Sequence, residues 1–351
     1  MGIFKFKLKS RRKMSATSQS SEIRTDTSVE SNDSVEIVAA KSRDINNHEP
    51  REDLEGYKVG SVIGRGSYAV VKMAKNEKSK KLYAVKIISK PNAPQDFLNR
   101  FLPREIAVMK KIRSDRLIGV HKILDLETKA FLVIEFAHNG DLLRILKKQK
   151  RFSNFQVSKW SKEMIDGIDY MHNAGIVHRD LKCENILLDK SLSCKISDFG
   201  FARFLTFRPT DNNSRNLNTD QLSSTFCGSY AYAPPEVLRG IPYNCFLSDV
   251  WSLGVIIYTI TYSRLPFDDS NHRKLLKQVM GVVKIPQLPD SHQKPLASSD
   301  NSASDSTLNE SQQVAIRSMI QCQTQQRWSI HDVRQSQYYK NIGRLASKLV
   351  V

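Results

Sequence analysis

His178-Arg179-Asp180-Leu181-Lys182-Cys183-Glu184-Asn185, followed at short distance by Asp198-Phe199-Gly200, is the stretch on which the fold turns. It holds four side chains that one reaction needs in one place. Asp180 supplies a carboxylate that can orient a hydroxyl group and take its proton. Lys182, two residues on, supplies a charge that can steady a moving phosphate. Asn185 and Asp198 supply hard oxygen atoms suited to Mg²⁺. Phosphoryl transfer asks a protein mainly for positioning and charge stabilisation, so these few groups suffice for it.

Working toward the N-terminus, Phe131-Leu132-Val133-Ile134-Glu135-Phe136-Ala137 reads as an apolar strand that ends in a turn at Asn139-Gly140-Asp141. Earlier still, Tyr57 to Val71 reads as strand, glycine turn, strand. Gly64 and Gly66 let a backbone close over phosphates without a Cβ in the way, and Ile63, Arg65, Ser67 and Val71 flank that turn. Leu82-Tyr83-Ala84-Val85-Lys86-Ile87-Ile88 is a strand with one embedded lysine. Ile106, Met109 and Ile112 recur at helical spacing, which predicts a helix carrying Glu105. Pro103 either opens that helix or kinks it. The order along the chain pairs Lys86 with phosphates and Glu105 with Lys86. Asp141 either bonds a ribose, faces a basic substrate side chain or caps the helix that begins at Leu142.

Composition bounds the alternatives. The 351 residues are 40% hydrophobic, enough for a large core, and carry a formal charge of +18. Residues 1–56 balance their charges, so the excess lies in the folded part. No C2H2 spacing or basic-aromatic RNA signature accompanies it, and no nucleic-acid partner is expected. The five cysteines form no CxxC pair or disulfide framework, which suits a reducing compartment, and a cytoplasmic location is expected. No run of about 18 apolar residues predicts a transmembrane helix. The first thirteen residues interleave Lys and Arg with Ile3, Phe4, Phe6 and Leu8, an end that can touch an anionic membrane weakly. Gly2 begins a myristoylation-like pattern, but Phe6 stands where Ser or Thr is wanted. Residues 14–50 are polar and aperiodic, so the whole tail 1–56 is expected to be disordered.

Taken together, the motifs resemble protein serine/threonine kinases over residues 57–340. Gly66-Ser67-Tyr68-Ala69, Phe101-Leu102-Pro103-Arg104-Glu105-Ile106, Asp180-Leu181-Lys182-Cys183-Glu184-Asn185, Thr225-Phe226-Cys227-Gly228-Ser229 and Pro266-Phe267-Asp268-Asp269-Ser270-Asn271 are similar to the testis-specific serine/threonine kinases of the calcium/calmodulin-dependent group. The resemblance implies an α+β bilobal fold, with a β-rich small lobe at 57–136, a mainly helical large lobe at 137–340 and flexible insertions at 204–222 and 289–311. It implies ATP and Mg²⁺, protein substrates and a role in sperm development. The ATP site would include Ile63, Gly64, Arg65, Gly66, Ser67, Val71, Ala84, Lys86, Glu105, Glu135, Ala137 and Asp141. Asp180 and Lys182 would be catalytic, and Asn185 and Asp198 would hold metal. Thr225, phosphorylated by an upstream kinase or by the chain itself, would pair with Arg179. Glu236 would pair with Arg327, and Asp249 would anchor the catalytic loop. Asp141 and Glu184 would favour an upstream Arg in substrates. Ala69 replaces a third glycine, Pro234-Pro235-Glu236 replaces the usual Ala-Pro-Glu, and Tyr230 stands where many relatives have Pro.

Overall fold

The computed structural model describes residues 36–38, 54–205, 222–224, 228–286 and 302–347. The alternating, β-branched runs near the N-terminus form the expected antiparallel sheet. Strands β2 (Tyr57–Arg65), β3 (Ala69–Asn76) and β4 (Leu82–Ser89) follow one another, and β5 (Val120–Asp125) and β6 (Lys129–Glu135) complete the set. A further strand, β1 (Glu36–Val38), lies parallel to β5 at the edge, giving the order β1-β5-β6-β4-β3-β2. This strand falls inside the tail for which no structure was expected. Val35, Ile37 and Val38 form a short β-branched run in otherwise polar sequence, and an open sheet edge offers it backbone partners.

Helix α1 (Leu102–Lys111) follows a single π-helical turn at Phe97–Phe101. Pro103 stands in the first turn of α1, where its missing N–H costs nothing, so it opens the helix rather than kinking it. Leu102, Ile106, Val108 and Met109 bury against the sheet and against the large lobe.

The large lobe is built around two long helices, α3 (Asn154–Asn173) and α5 (Cys245–Tyr262). A reciprocal capping box between Ser153 and Gln156 starts α3. Helix α5 is long and apolar enough to cross a membrane, but it is buried inside the protein and forms the centre of the lobe's core. Gly254 lets α7 (Ser302–Met319) approach it closely, since a Cβ there would lie 2.8 Å from that of Met319. Helix α7 begins well inside the stretch expected to be an insertion. Leu308 is buried, and Gln312 donates to Thr261 Oγ1 and Tyr338 Oη. These contacts hold a sequence too polar to read as a helix.

One buried ion pair ties distant parts of this lobe together. Arg327 donates to both carboxylate oxygens of Glu236, at 2.6 and 3.0 Å, and also to Gln321 O and Leu247 O. Its guanidinium lies 4.9 Å from the ring centroid of Trp251. Every face of this buried charge therefore meets a partner, which is the condition for such a pair to be tolerated. Replacing Arg327 with Met should lower stability by about 3–5 kcal/mol, because Glu236 is left buried and unpaired. Urea unfolding measures this, and a loss below about 1 kcal/mol would contradict the assignment.

Candidate active site

The sheet's inner face forms the roof of the cleft. Register places Gly64 opposite Val71, Val71 opposite Lys86, and Lys86 opposite Leu132, so these positions form one row across the sheet. Ala84 and Ile134 are opposite one another in the next row on the same face. The turn between β2 and β3 is closed by Gly66 N–H donating to Ala69 O at 2.8 Å. The roof thus brings together the glycine turn, Val71, Ala84 and Lys86.

Lys86 donates to Glu105 Oε1 at 2.6 Å and to Asp198 Oδ1 at 3.2 Å. Burial works against its charge, but the two carboxylates outweigh that cost and hold the ammonium above the usual lysine range. The same contact, opposed by burial, lowers Asp198 below the usual carboxylate range. Small lobe, helix α1 and the Asp198 loop are therefore joined at one nitrogen.

The catalytic loop follows β8 (Ile176–Val177) and precedes β9 (Ile186–Leu188). Asp180 Oδ2 accepts from Lys182 Nζ at 2.7 Å. Asn185 Nδ2 donates to Asp180 O at 2.8 Å and to Asp180 Oδ2 at 3.3 Å. Ser229 Oγ lies 3.2 Å from both Asp180 Oδ1 and Lys182 Nζ. Gly228 passes so close that a Cβ would come within 2.7 Å of Arg179 O, and its φ of +96° disfavours other residues. Cys183 lies beneath the loop, its thiol pushed up to about 12 by burial, so it packs rather than reacts.

Two non-glycine residues here occupy the left-handed region, Arg179 (φ 67°) and Asp198 (φ 64°). Such conformations cost on the order of 1–3 kcal/mol each and need surroundings that enforce them. Asp249, in α5, supplies that enforcement at Arg179. Its carboxylate accepts the backbone N–H of His178 and of Arg179, each at 2.8 Å, and meets His172 Nε2 at 3.0 Å. Asp198 is held by Lys86 and by the residue after it, since buried Phe199 packs 5.7 Å from the His178 ring.

At the back of the cleft, Glu135 Oε1 pairs with Lys195 Nζ at 3.0 Å, and Glu135 N–H donates to Gly119 O at 2.8 Å. Lys195 belongs to β10 (Cys194–Ile196), so this pair joins the link between the lobes to the strand that leads to Asp198. Asp141 caps helix α2 (Leu142–Gln149), accepting Arg144 N–H at 2.8 Å through Oδ1. Of its open readings, capping is the one its contacts display. Glu184 is exposed on the catalytic loop.

Sequence reasoning missed several participants. Ser229, Lys195 and Asp249's partner His172 reach the site through the fold, from positions far along the chain. Arg104 and Arg203 were also missed. Burial and the like charges of Arg100, Arg179 and Arg203 lower the Arg104 guanidinium below its usual range, which marks a cluster of cations beside the catalytic loop. Arg104 immediately precedes Glu105 in α1, and nothing in its spacing points to Arg179, which it meets only through the fold. Thr225 lies outside the described residues.

Residues 57–339 match the protein kinase domain family. Testis-specific serine/threonine-protein kinase 4 of Homo sapiens is 47% identical over 238 residues, which is 67% of this chain and 73% of that protein. Testis-specific serine/threonine-protein kinase 1 of Mus musculus is 43% identical over 223 residues, 63% of this chain and 59% of that protein. Serine/threonine-protein kinase kin-29 of Caenorhabditis elegans is 36% identical over 236 residues, 67% of this chain and 27% of that protein. The bilobal α+β architecture agrees with these matches, and the chain belongs to the protein kinase family, as a serine/threonine kinase grouped with the testis-specific members.

Proposed function

We propose that the chain transfers the γ-phosphoryl group of ATP to Ser and Thr hydroxyls of proteins, using the residues joined around Asp180 and Lys86. The observation that carries this reading is the continuous contact from Glu105 through Lys86 to Asp198, with Asp180, Lys182 and Asn185 assembled beside it. The substrate hydroxyl oxygen attacks the γ-phosphorus, its proton passes to Asp180 and ADP departs. Lys182 and Ser229 hold Asp180 in place, and Lys182 neutralises charge on the moving group. Backbone groups of Glu135 and Ala137 meet the adenine edge, with Ile63, Val71 and Ala84 against its faces.

The donor set suits Mg²⁺. Asp198 is kept ionised, and the Asn185 amide nitrogen is committed to Asp180, which leaves the amide oxygen as the ligating atom. Among the described residues no group of three His, Cys, Asp or Glu forms an all-protein cage. Mg²⁺ in such sites completes its shell with phosphate and water oxygens. Bound there, the ion supplies charge neutralisation for the phosphates. Replacing Asp198 with Asn or Lys86 with Met should each cut turnover by about 100-fold or more while leaving the unfolding transition intact. Radiolabelled ATP assays on the purified variants measure this, and near-wild-type turnover in either would remove the assignment.

Activation rests on the cation cluster. Arg179, Arg104 and Arg203 come from the catalytic loop, α1 and β11 (Arg203–Phe204), and a phosphate on Thr225 would join all three. Arg179 Nε also donates to Phe201 O at 2.8 Å, so ordering there reaches the segment after Asp198. Thr225→Ala should lower activity at least about tenfold, the equivalent of one charge-assisted hydrogen bond. Mass spectrometry with kinetics decides it: full activity in Thr225→Ala, with no phosphate on Thr225 in active wild type, contradicts the switch.

Substrate choice follows from Glu184. Its carboxylate is exposed beside Lys182, while Asp141 has one oxygen engaged in capping. An Arg two or three residues before the phosphoacceptor should raise rates about fivefold, and less at high salt. A positional peptide array tests this: equal rates with Arg, Ala or Glu upstream, or a preference that survives Glu184→Ala with Asp141→Ala, contradicts it.

The names of the relatives support action in developing male germ cells. No disulfide joins the described cysteines, which supports a reducing, cytoplasmic setting. Immunodetection across tissues and cell fractions tests both, and a signal confined to other tissues or to secreted material would contradict them.

A further inference from the structure

Three aromatic side chains flank the transfer machinery without a part in its proposed chemistry. Tyr68 ends the glycine turn, and Phe97 and Phe101 stand just before α1. The chain enters α1 through a π turn, in which Leu102 N–H donates to Phe97 O, five residues back. Such a turn holds one residue more than an α-helical turn, is rare, and recurs at functional sites. The extra residue changes the direction in which Phe97 points relative to α1. Phe97 reaches the sheet: its ring centroid lies 5.4 Å from that of Tyr68, with the planes tilted by 47°. The backbone on the Tyr68 side is fixed to β4, since Ser89 N–H donates to Tyr68 O at 3.1 Å. Phe101 stands four residues before Glu105 and so shares its side of the helical axis. Its ring meets that of Phe201 edge-on, at 5.7 Å and 78°. Phe201 directly follows Asp198-Phe199-Gly200, and its carbonyl is the one that Arg179 Nε holds. A Cβ on Gly200 would lie 3.7 Å from Glu105 Oε2, so this segment runs along α1 at the level of Glu105.

The glycine turn needs an anchor. Gly64 and Gly66 leave its backbone free, and that freedom is lost when the turn closes over a ligand. A ring held on Phe97 restricts the turn beforehand, and a preorganised turn binds at lower entropic cost. Tilted and edge-on ring pairs attract beyond the area they bury, so they fix direction as well as distance. Phe97 and Leu98 also pack against the main core, to which Leu102, Ile106 and Met109 of α1 belong, so the anchor is tied to that helix. We propose that Phe97 and Phe101 are positioning residues for phosphoryl transfer: together they form a joint that sets the glycine turn, through Tyr68, against the Asp198 segment, through Phe201. Helix α1 carries Glu105, so a shift of α1 parts Glu105 from Lys86 and both rings from their partners in one movement. The turn that covers the phosphates and the segment that would hold the metal are thereby seated together. The role rests on the proposed transfer reaction, while the joint itself is measurable in ATP binding alone.

The test uses the full-length chain with Phe97→Ala, Phe97→Leu, Tyr68→Ala, Tyr68→Phe, Phe101→Ala and the Phe97→Ala/Tyr68→Ala double variant. Affinity for a fluorescent ATP analogue with Mg²⁺ is titrated, and amide hydrogen exchange is followed segment by segment. Phe97→Ala and Tyr68→Ala should each weaken nucleotide binding about fivefold, and the double variant no further than either alone, because both remove one contact. Tyr68→Phe keeps the ring and should keep wild-type affinity. Phe97→Leu keeps apolar volume without a flat ring and should weaken binding in the same direction as Phe97→Ala. Without nucleotide, exchange at residues 64–68 should speed up in Phe97→Ala while α3 and α5 keep their wild-type rates. In Phe101→Ala, exchange should speed up both at 201–204 and at 64–68. Unchanged affinity in both Phe97 variants, losses that multiply in the double variant, or a loss in Tyr68→Phe equal to that in Tyr68→Ala overturns the contact. Exchange that rises equally in α3 and α5 overturns it in favour of a merely structural role, and an effect of Phe101→Ala at one end alone overturns the joint. The two readings fail separately. A wild type that binds ATP but transfers no phosphate to Ser or Thr removes the transfer reaction, and losses that do not multiply still support the joint; an active wild type with multiplied losses removes the joint and leaves the reaction.

Discussion

The carboxylate of Asp249 is the constraint on which the rest of the site depends. It is buried at the N-terminal end of the central helix α5, and it accepts two consecutive backbone N–H groups from the catalytic loop. A buried carboxylate is costly unless its acceptor capacity is filled, and here the loop fills it. The arrangement holds Arg179 in a left-handed conformation that a free loop would abandon. From that backbone, the Asp180 side chain reaches Lys182 and Ser229, while Arg179 reaches Phe201 and the cation cluster. One interaction in the core of the large lobe thus fixes both the reacting carboxylate and the receiver of the proposed activating phosphate.

The second organising contact runs between the lobes. Lys86 lies between Glu105 and Asp198, and each of the three belongs to a different part of the fold. Lys86 is the contact that Glu105 and Asp198 share, so loss of any one of the three loosens the placement of the others. Glu135 and Lys195 make a second tie at the back of the cleft. Catalytic geometry of this kind rests on many elements agreeing within fractions of an ångström, which explains why so much of the large lobe serves to hold a few side chains.

Much of this was legible in the sequence. Asp180, Lys182, Asn185 and Asp198 stand out because the chemistry demands particular side chains at short, fixed spacings. Lys86 was legible as a lysine inside a strand after a glycine turn, and Glu105 from its order along the chain, on a helix marked by the spacing of Ile106, Met109 and Ile112. What could not be read depends on tertiary contact. Ser229 joins Asp180 from 49 residues away. Arg104 and Arg203 gather around Arg179 only once α1 packs beside the catalytic loop. The strand at Glu36–Val38 is too short to assert itself by pattern, and it exists because β5 leaves an edge to pair with. Helix α7 begins in a polar stretch whose few contacts, through Leu308 and Gln312, are invisible without the neighbouring helices. Asp141 shows the opposite case: three roles were open from sequence, and one hydrogen bond to Arg144 displays capping.

The most direct measurement is steady-state kinetics of Asp249→Asn beside its ATP affinity. The amide keeps the shape but loses the charge and presents a donor toward two backbone N–H groups. If Asp249 holds the catalytic loop, kcat falls by about 10–100-fold while ATP affinity changes little, since the Lys86 roof is separate. A variant with wild-type kcat, or one in which ATP affinity falls as far as kcat, would contradict the account.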